Sequence, residues 1–432
     1  MSTERPLDGA QQHRPQGAST PVNGIAPMID GERLWRSIEE IAQIGALPKG
    51  GSCRLALSDE DREARELFAN WCRDAGCEVH VDTFGNQFAI RTGRIRQAPL
   101  VLFGSHLDTQ PKGGRFDGIY GVMAGLEIMR TLQATGIQTD RSLAVVNWTN
   151  EEGVRFSPGL TGSKGFAGLL SVEEIFQLKT AEDESFHDEL LRTGFLGTPP
   201  AFTVATYFEA HIEQGPVLES AGVAVGVVTG VQGVRWFDVE VSGQNRHAGT
   251  TPMTMRADSF MAASRMVLEL RKFALALSPD IRYTVGRAVV APGSVNTVPG
   301  NTRFSIDLRH GQTAVLDQFE RSMSEIARTC ASSESCTVSI HKTFDLPPIF
   351  FDPAAVGLVE SAASALDLPT MSLVSGAMHD ACAVSTVAPT AMIFTACRSG
   401  ISHSEDEFSE PHQLTAGCQM LLHVVLAAAR MV

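Results

Sequence analysis

The sequence predicts an α/β protein interrupted by a smaller α+β unit. Three observations lead there. Apolar runs of strand length alternate with helical stretches over residues 77–150, and again after 345. Between 226 and 343 the texture changes to strands with period-2 alternation and two long helical stretches. At 432 residues the chain is also too long for one compact core, so division into about two or three domains is expected.

The elements follow in order. Residues 1–28 are rich in Gln, Pro, Ser and Gly and have no apolar h-region, so they read as a disordered lead-in and not as a secretory signal. Residues 31–48 and 58–76 carry helical spacing, with Ser58 placed as an N-cap. Strands are expected at 77–85, 86–93 and 98–106, a helix over 121–136 stopped by Gly136, and a buried strand over 142–150. Strands and helices alternating in this way imply a sheet with helices on both faces. From 226, VGVVTGVQG, RWFDVEVSG, YTVGRAVVA and NTRFSIDLRH read as strands, with helices at 256–277 and 313–332. Two strands and a helix, twice over, give a small α+β domain with an open four-stranded sheet. After 345, AVGLVESAASALDL is a helix and PTAMIFTA a buried strand. Residues 29–225 and 344–432 thus form one domain, with 226–343 inserted into it. The terminal MLLHVVLAAARMV is too short to span a bilayer and carries His423 and Arg430, so it reads as a packed helix.

Composition sets limits on partners. Hydrophobic residues at 43 % and charged residues at 19 % suit a folded soluble protein. A formal charge of −14 argues against nucleic acid, whose phosphates recruit Lys and Arg. The eight cysteines form no CxxC pair and read as reduced thiols in a cytoplasmic protein.

Acids and histidines gather where strands of the first domain end. His106 and Asp108 follow PLVLFG, and Asp108 is placed to take the second N–H of a metal-bound imidazole. Asp117 stands between glycine turns and a helix; taken alone it reads as an N-cap more readily than as a ligand. Glu151 and Glu152 stand side by side after LAVVNW. In extended chain they would face opposite ways and could do different work. His211, Glu213 and Gln214 end a fourth run, and His403 follows a fifth. Open α/β sheets bind ligands at the carboxyl ends of their strands. Imidazole and carboxylate without thiolate suit zinc or a neighbouring divalent ion. There are more donors than one tetrahedral site needs, which favours two ions bridged by a carboxylate, about 3.5–4 Å apart.

The set GSHLDTQPKGGRFDG, TNEEGVRF, HIEQGPVLE, RHAGTTPMTMRAD and GISHSEDE resembles the metal-dependent hydantoinase/carbamoylase amidohydrolases, over residues 30–432. That family includes N-carbamoyl-L-amino acid hydrolases, bacterial-type β-ureidopropionase and allantoate amidohydrolase, within the zinc aminopeptidase and aminoacylase superfamily. The resemblance implies a mixed sheet sandwiched by helices and two divalent ions, zinc foremost, with manganese, cobalt or nickel as substitutes. His106 and His211 would ligate one ion, Glu152 and His403 the other, and Asp117 would bridge them. Glu151 would be the general base and Gln214 would contact the ureido group. His247 and Asn296 would polarise the scissile carbonyl from the partner subunit of a homodimer. Arg309 would pair with the substrate carboxylate. His379 and Asp380 would support the site. The implied substrate is a small ureido acid: an N-carbamoyl-L-amino acid, β-ureidopropionate or allantoate. An aminoacylase or peptidase is the more distant alternative. Many members read SGAGHD where this chain has SGAMHD, so Met378 puts the exact substrate in question.

Overall fold

The computed structural model describes residues 27–430, so most of the lead-in expected over 1–28 lies outside the described residues. A nine-stranded sheet forms the larger body. At its centre run Leu143–Trp148, Leu100–His106, Val204–Ile212 and Thr390–Thr395, neighbours in that order and mutually parallel. Gln87–Arg91 and Val225–Val231 flank this block in antiparallel pairing, so the sheet is mixed. The three flanking connections needed to keep four strands parallel put every carboxyl end on one edge. His106 pairs with Trp148 there, and Phe394 with His211.

The central strands are buried along nearly their whole length, which explains their unbroken apolar runs. One face carries the long helices Gly31–Ile41, Ile119–Thr135 and Pro411–Ala428. The other carries short helices at Thr161–Phe166 and Asp380–Val384. Pro411–Ala428 buries Leu414, Cys418, Leu421 and Val425 in the main core, as the packed-helix reading expects. Among the described residues no helix is long and apolar enough to cross a membrane. All eight cysteines are free, and all but Cys53 are buried.

The second sheet is separate and has its own core, built around Phe237, Met266, Leu308 and Phe319. Its strands are Gly233–Ser242, Arg282–Thr284, Ala288–Ala291, Asn301–His310 and Thr337–Leu346. Three details differ from the sequence reading. The small sheet has five strands where four were expected, because the stretch YTVGRAVVA breaks into Arg282–Thr284 and Ala288–Ala291. Val225–Val231 opens no small sheet; it pairs with Thr390–Thr395 and Thr370–Ser375 in the large one. Its run is apolar on both faces, as a strand buried in a large sheet requires. Thr337–Leu346 takes its place beside Gly233–Ser242. That strand lies at an edge and is largely exposed, so it has little apolar signal to read.

Ser58 caps Asp59–Asp74 by accepting from Asp61 N–H. The same helix buries an ion pair, Arg65 Nε to Asp61 Oδ2 at 2.7 Å, with both side chains at 0 % exposure. Arg65 also donates to Gly85 O and Thr149 Oγ1. Removing one partner leaves a buried charge uncompensated. Arg65→Ala is therefore expected to cost about 3–5 kcal/mol, read from urea unfolding; a loss below ~1 kcal/mol would contradict the pair's importance.

Candidate metal centre

Four loops leave the parallel edge and converge. Asp117 is their common point. Its Oδ1 lies 3.2 Å from His211 Nε2 and 4.0 Å from His106 Nε2. Its Oδ2 lies 3.3 Å from His403 Nε2. Glu152 Oε2 stands 3.5 Å from the same His403 nitrogen. Two donor sets, His106–Asp117–His211 and Asp117–Glu152–His403, share this carboxylate, and a third grouping, Glu209–His211–His379, meets the first at His211. Glu151 belongs to none of these; its Oε2 faces His106 Nε2 at 3.5 Å.

The donor chemistry fits divalent ions. His106 Nδ1 meets the carbonyl of Asp108 at 2.9 Å, and His211 Nδ1 meets the carbonyl of Ile212 at 2.9 Å. Each Nδ1–H donates to its carbonyl, which leaves Nε2 turned toward Asp117. Burial brings His106 down to about 4, so its ring is neutral. Burial also lowers His211, but Asp117 lifts it further, to about 9. Contact with Asp117 raises His403 to about 9. Burial pushes Glu152 up to about 8, with Asp117 adding to the effect. Burial opposes ionisation of Asp117, yet His211 and His403 hold it well below the carboxylate range. The set thus shares protons that a bound cation would displace.

Local backbone makes this convergence possible. Gly118 takes φ +69° and directly precedes the helix Ile119–Thr135. A Cβ there would run into the His106 ring. The Asp117 side chain does not cap that helix; it accepts from Gln214 Nε2 and Ser402 Oγ, each at 2.9 Å. Gly118→Ala should displace His106 and weaken metal retention more than tenfold, a loss of the size seen when a metal's surroundings are disturbed. Metal content after dialysis against a chelator would read this, and parental retention would argue against the close approach.

The other candidates fall at different distances from this centre. Asp108 does not orient His106 through its carboxylate, which lies 3.9 Å from Nδ1. Its backbone carbonyl does so instead, because the chain turns after the strand ends. Gln214 reaches Asp117 directly. The His379 ring packs against His211 with centroids 4.5 Å apart, and its Nε2 meets Ser375 Oγ. Asp380 is fully buried, and burial, then Glu209, push its carboxyl well above the ordinary range, with Ser163 opposing them. Arg309 sits on the second sheet, held by Asp307 through Nε and Nη2, with Nη1 donating to Gly376 O at 3.2 Å. His247 and Asn296 lie exposed beside each other, joined by Ala248 N–H to Asn296 O. Among the described residues neither bonds to the donor sets. Met378 packs, partly buried, against the main core.

Three contributors escaped the sequence reading. Gln110 Nε2 donates to Glu152 Oε2 at 2.6 Å. Glu407 accepts from the N–H groups of Phe116 and Asp117, fixing the loop that carries the shared carboxylate. The Ser402 hydroxyl lies 2.9 Å from both Asp117 Oδ2 and Glu407 Oε2 and can donate its one hydrogen to either. Gln110 stands directly after HLDT and could have been found by proximity. Glu407 looked like one more acid in SEDE.

The profile of peptidase family M20/M25/M40 matches residues 102–427. An N-carbamoyl-L-amino-acid amidohydrolase of Rhizobium meliloti is 41% identical over 408 residues, covering 94% of this chain and 98% of its own. An allantoate amidohydrolase of Bacillus subtilis is 31% identical over 399 residues, covering 91% of this chain and 96% of its own. The crystal structure of a hydantoinase/carbamoylase family amidase from Burkholderia ambifaria superposes with TM-score 0.90 at 46% identity, over 94% of this chain and 99% of that one. Fold and site together define a hydrolase of the aminopeptidase-like type. The chain belongs to the M20/M25/M40 peptidase family, in its hydantoinase/carbamoylase branch.

Proposed function

We propose that the protein hydrolyses the carbamoyl C–N bond of N-carbamoyl-L-amino acids or β-ureidopropionate, releasing amino acid, ammonia and carbon dioxide. The observation that carries this reading is Asp117, whose two oxygens serve two donor sets with an unassigned carboxylate, Glu151, alongside. His106 and His211 would hold one divalent ion, and Glu152 and His403 the second, with Asp117 between them. When bound, such ions supply Lewis-acid polarisation and favour ionisation of a water. The donor set suits zinc, with manganese, cobalt or nickel as substitutes.

The residues then divide the work. Glu151 takes a proton from the attacking water and returns it to the departing nitrogen. The ureido C–N bond breaks as the C–O bond forms, and the carbamate released decays to ammonia and carbon dioxide. Gln214 positions the ureido group. The guanidinium of Arg309 pairs with the substrate carboxylate. Asp307 already occupies its Nε–Nη2 side and Gly376 O takes one Nη1 hydrogen, which leaves one hydrogen each on Nη1 and Nη2 for substrate. His379 and Asp380 support the site from beneath.

His247 and Asn296 serve carbonyl polarisation from a partner subunit. Their exposure on the second unit supports this, as does an exposed apolar stripe on the helix Ser259–Leu277, where Met261, Leu268 and Leu275 recur every seven residues. Such a stripe is what a helix shows when a second copy is to cover it. The free, buried cysteines fit a reducing, cytoplasmic setting.

Allantoate hydrolysis is the second reading, favoured by the Bacillus subtilis relative. Metal-stripped protein reloaded with Mn²⁺ or Zn²⁺ should release ammonia from N-carbamoyl-L-methionine, N-carbamoyl-β-alanine or allantoate. Turnover of allantoate alone would select the second reading. Turnover of dipeptides and of no ureide would sink both.

A further inference from the structure

The adjacent carboxylates Glu151 and Glu152 face different partners, and the chain there is not extended. Asn150 takes φ +57° and Gly153 φ +66°, so the pair sits in a tight curl after Trp148. Strand alternation therefore cannot be what turns one side chain to His106 and the other to His403. Something else must hold the curl.

The fully buried carboxylate of Asp108 lies inside it. Oδ1 accepts from Glu151 N–H at 3.2 Å, and Oδ2 accepts from Glu152 N–H at 3.2 Å. Two successive amides converging on one anion form a nest, a backbone concavity suited to negative charge. The rest of the curl is tied as well. Thr149 N–H donates to Asn86 Oδ1, and Thr149 Oγ1 accepts from Arg65. Asn150 Nδ2 donates to Phe156 O and Thr161 Oγ1, both at 2.7 Å. Leu160 N–H donates to Glu151 O at 2.8 Å. Among the described residues only Asp108 reaches the backbone N–H groups of the two glutamates themselves.

We propose that Asp108 is a positioning residue that acts on the glutamate pair, clamping their two amides so that Glu151 is aimed at the substrate side and Glu152 at His403. It does not act through the imidazole of His106, which the Asp108 carbonyl already orients. This rests on the roles proposed above for Glu151 and Glu152. The clamp needs a carboxylate specifically. An amide at this position keeps one acceptor and sets an NH₂ against a backbone N–H, so Asp108→Asn breaks one bond while leaving the carbonyl–His106 contact in place.

The test combines three readings on full-length, metal-loaded protein. Asp108→Asn should lower kcat by about 100-fold, the cost of roughly 1 Å misplacement of a reacting group. KM should stay within about threefold, and one ion should be held more weakly than in the parent, because Glu152 shares the clamp while His106 and His211 do not. Hydrogen exchange followed by mass spectrometry should show the amides of Glu151 and Glu152 protected in the parent and at least about tenfold faster in the variant. Loss of both ions, or turnover fully restored by excess metal, would overturn the proposal and return the carboxylate to His106. Parental kcat with parental protection would also overturn it. If the variant does not fold, exchange on the unmodified protein decides: fast amides at 151 and 152 mean that no clamp exists. A parent inactive on every ureide would sink the proposed reaction, while exchange would still judge the clamp.

Discussion

Glu151→Gln is expected to keep its metal and lose its turnover. The substitution preserves shape but removes a carboxylate that faces His106 and belongs to neither of the two sets sharing Asp117. A positioned general base contributes on the order of 10²–10⁴-fold, so kcat should fall by that factor with KM nearly unchanged. Elemental analysis of gel-filtered protein should give the parental metal content. Metal loss instead would mean that the two glutamates have exchanged roles. The environment makes Glu151 a demanding place for a charge: burial, then Asp380 and Glu152, push its carboxyl well above the ordinary range. Nearby cations reverse that penalty. The side chain is thus suited to holding a proton and giving it up according to what lies beside it.

Asp117→Asn should have the opposite signature. Asp117 is the one residue common to both donor sets, with Oδ1 toward His211 and Oδ2 toward His403. An amide offers one acceptor oxygen where two are used. Losing even an outer partner of a metal ligand costs about 10–100-fold in affinity. Losing the shared group should cost each ion at least that, so metal content and turnover fall together. Excess metal should recover little activity. Retention of one ion at parental affinity would show that Asp117 serves a single set. Comparing the two variants separates proton transfer from ion binding, which activity alone cannot do.

Much of the centre was legible in the sequence. The runs PLVLFGSH, LAVVNW and AMIFTA are apolar without alternation, the mark of strands buried on both faces. Such strands run parallel, and parallel strands bring their following loops to one edge. His106, Asp117, Glu151, Glu152, His211 and His403 could therefore be grouped before any distance was known. Gln110 and Glu407 were not legible. Their work is to hold Glu152 and the backbone of the Asp117 loop, and nothing local marks an acid in SEDE as the acceptor for a loop about 290 residues away.

The inserted unit shows the same division. Helices with apolar residues at helical spacing were readable, as Ser259–Leu277 and Thr313–Ser333 show. Strand membership was not. Val225–Val231 carries a strand signal that does not say which sheet it joins, and Thr337–Leu346, exposed along an edge, carries hardly any signal. Pairing is decided by partners far off in the chain, and exposed edges need no apolar pattern.

By itself the sequence determined the residue types, their order and the strands they follow, because burial and helix or strand periodicity are written locally. It thereby determined the family and the donor chemistry. The tertiary structure alone decided which atom of each side chain does what. It set Nε2 of His106 and His211 toward Asp117, gave the orienting of His106 to a carbonyl, and turned the Asp108 carboxylate onto two neighbouring amides. The reason is geometric. A hydrogen bond depends on a few tenths of an ångström and on direction, and those are fixed only when the turns after four separate strands are packed against one another.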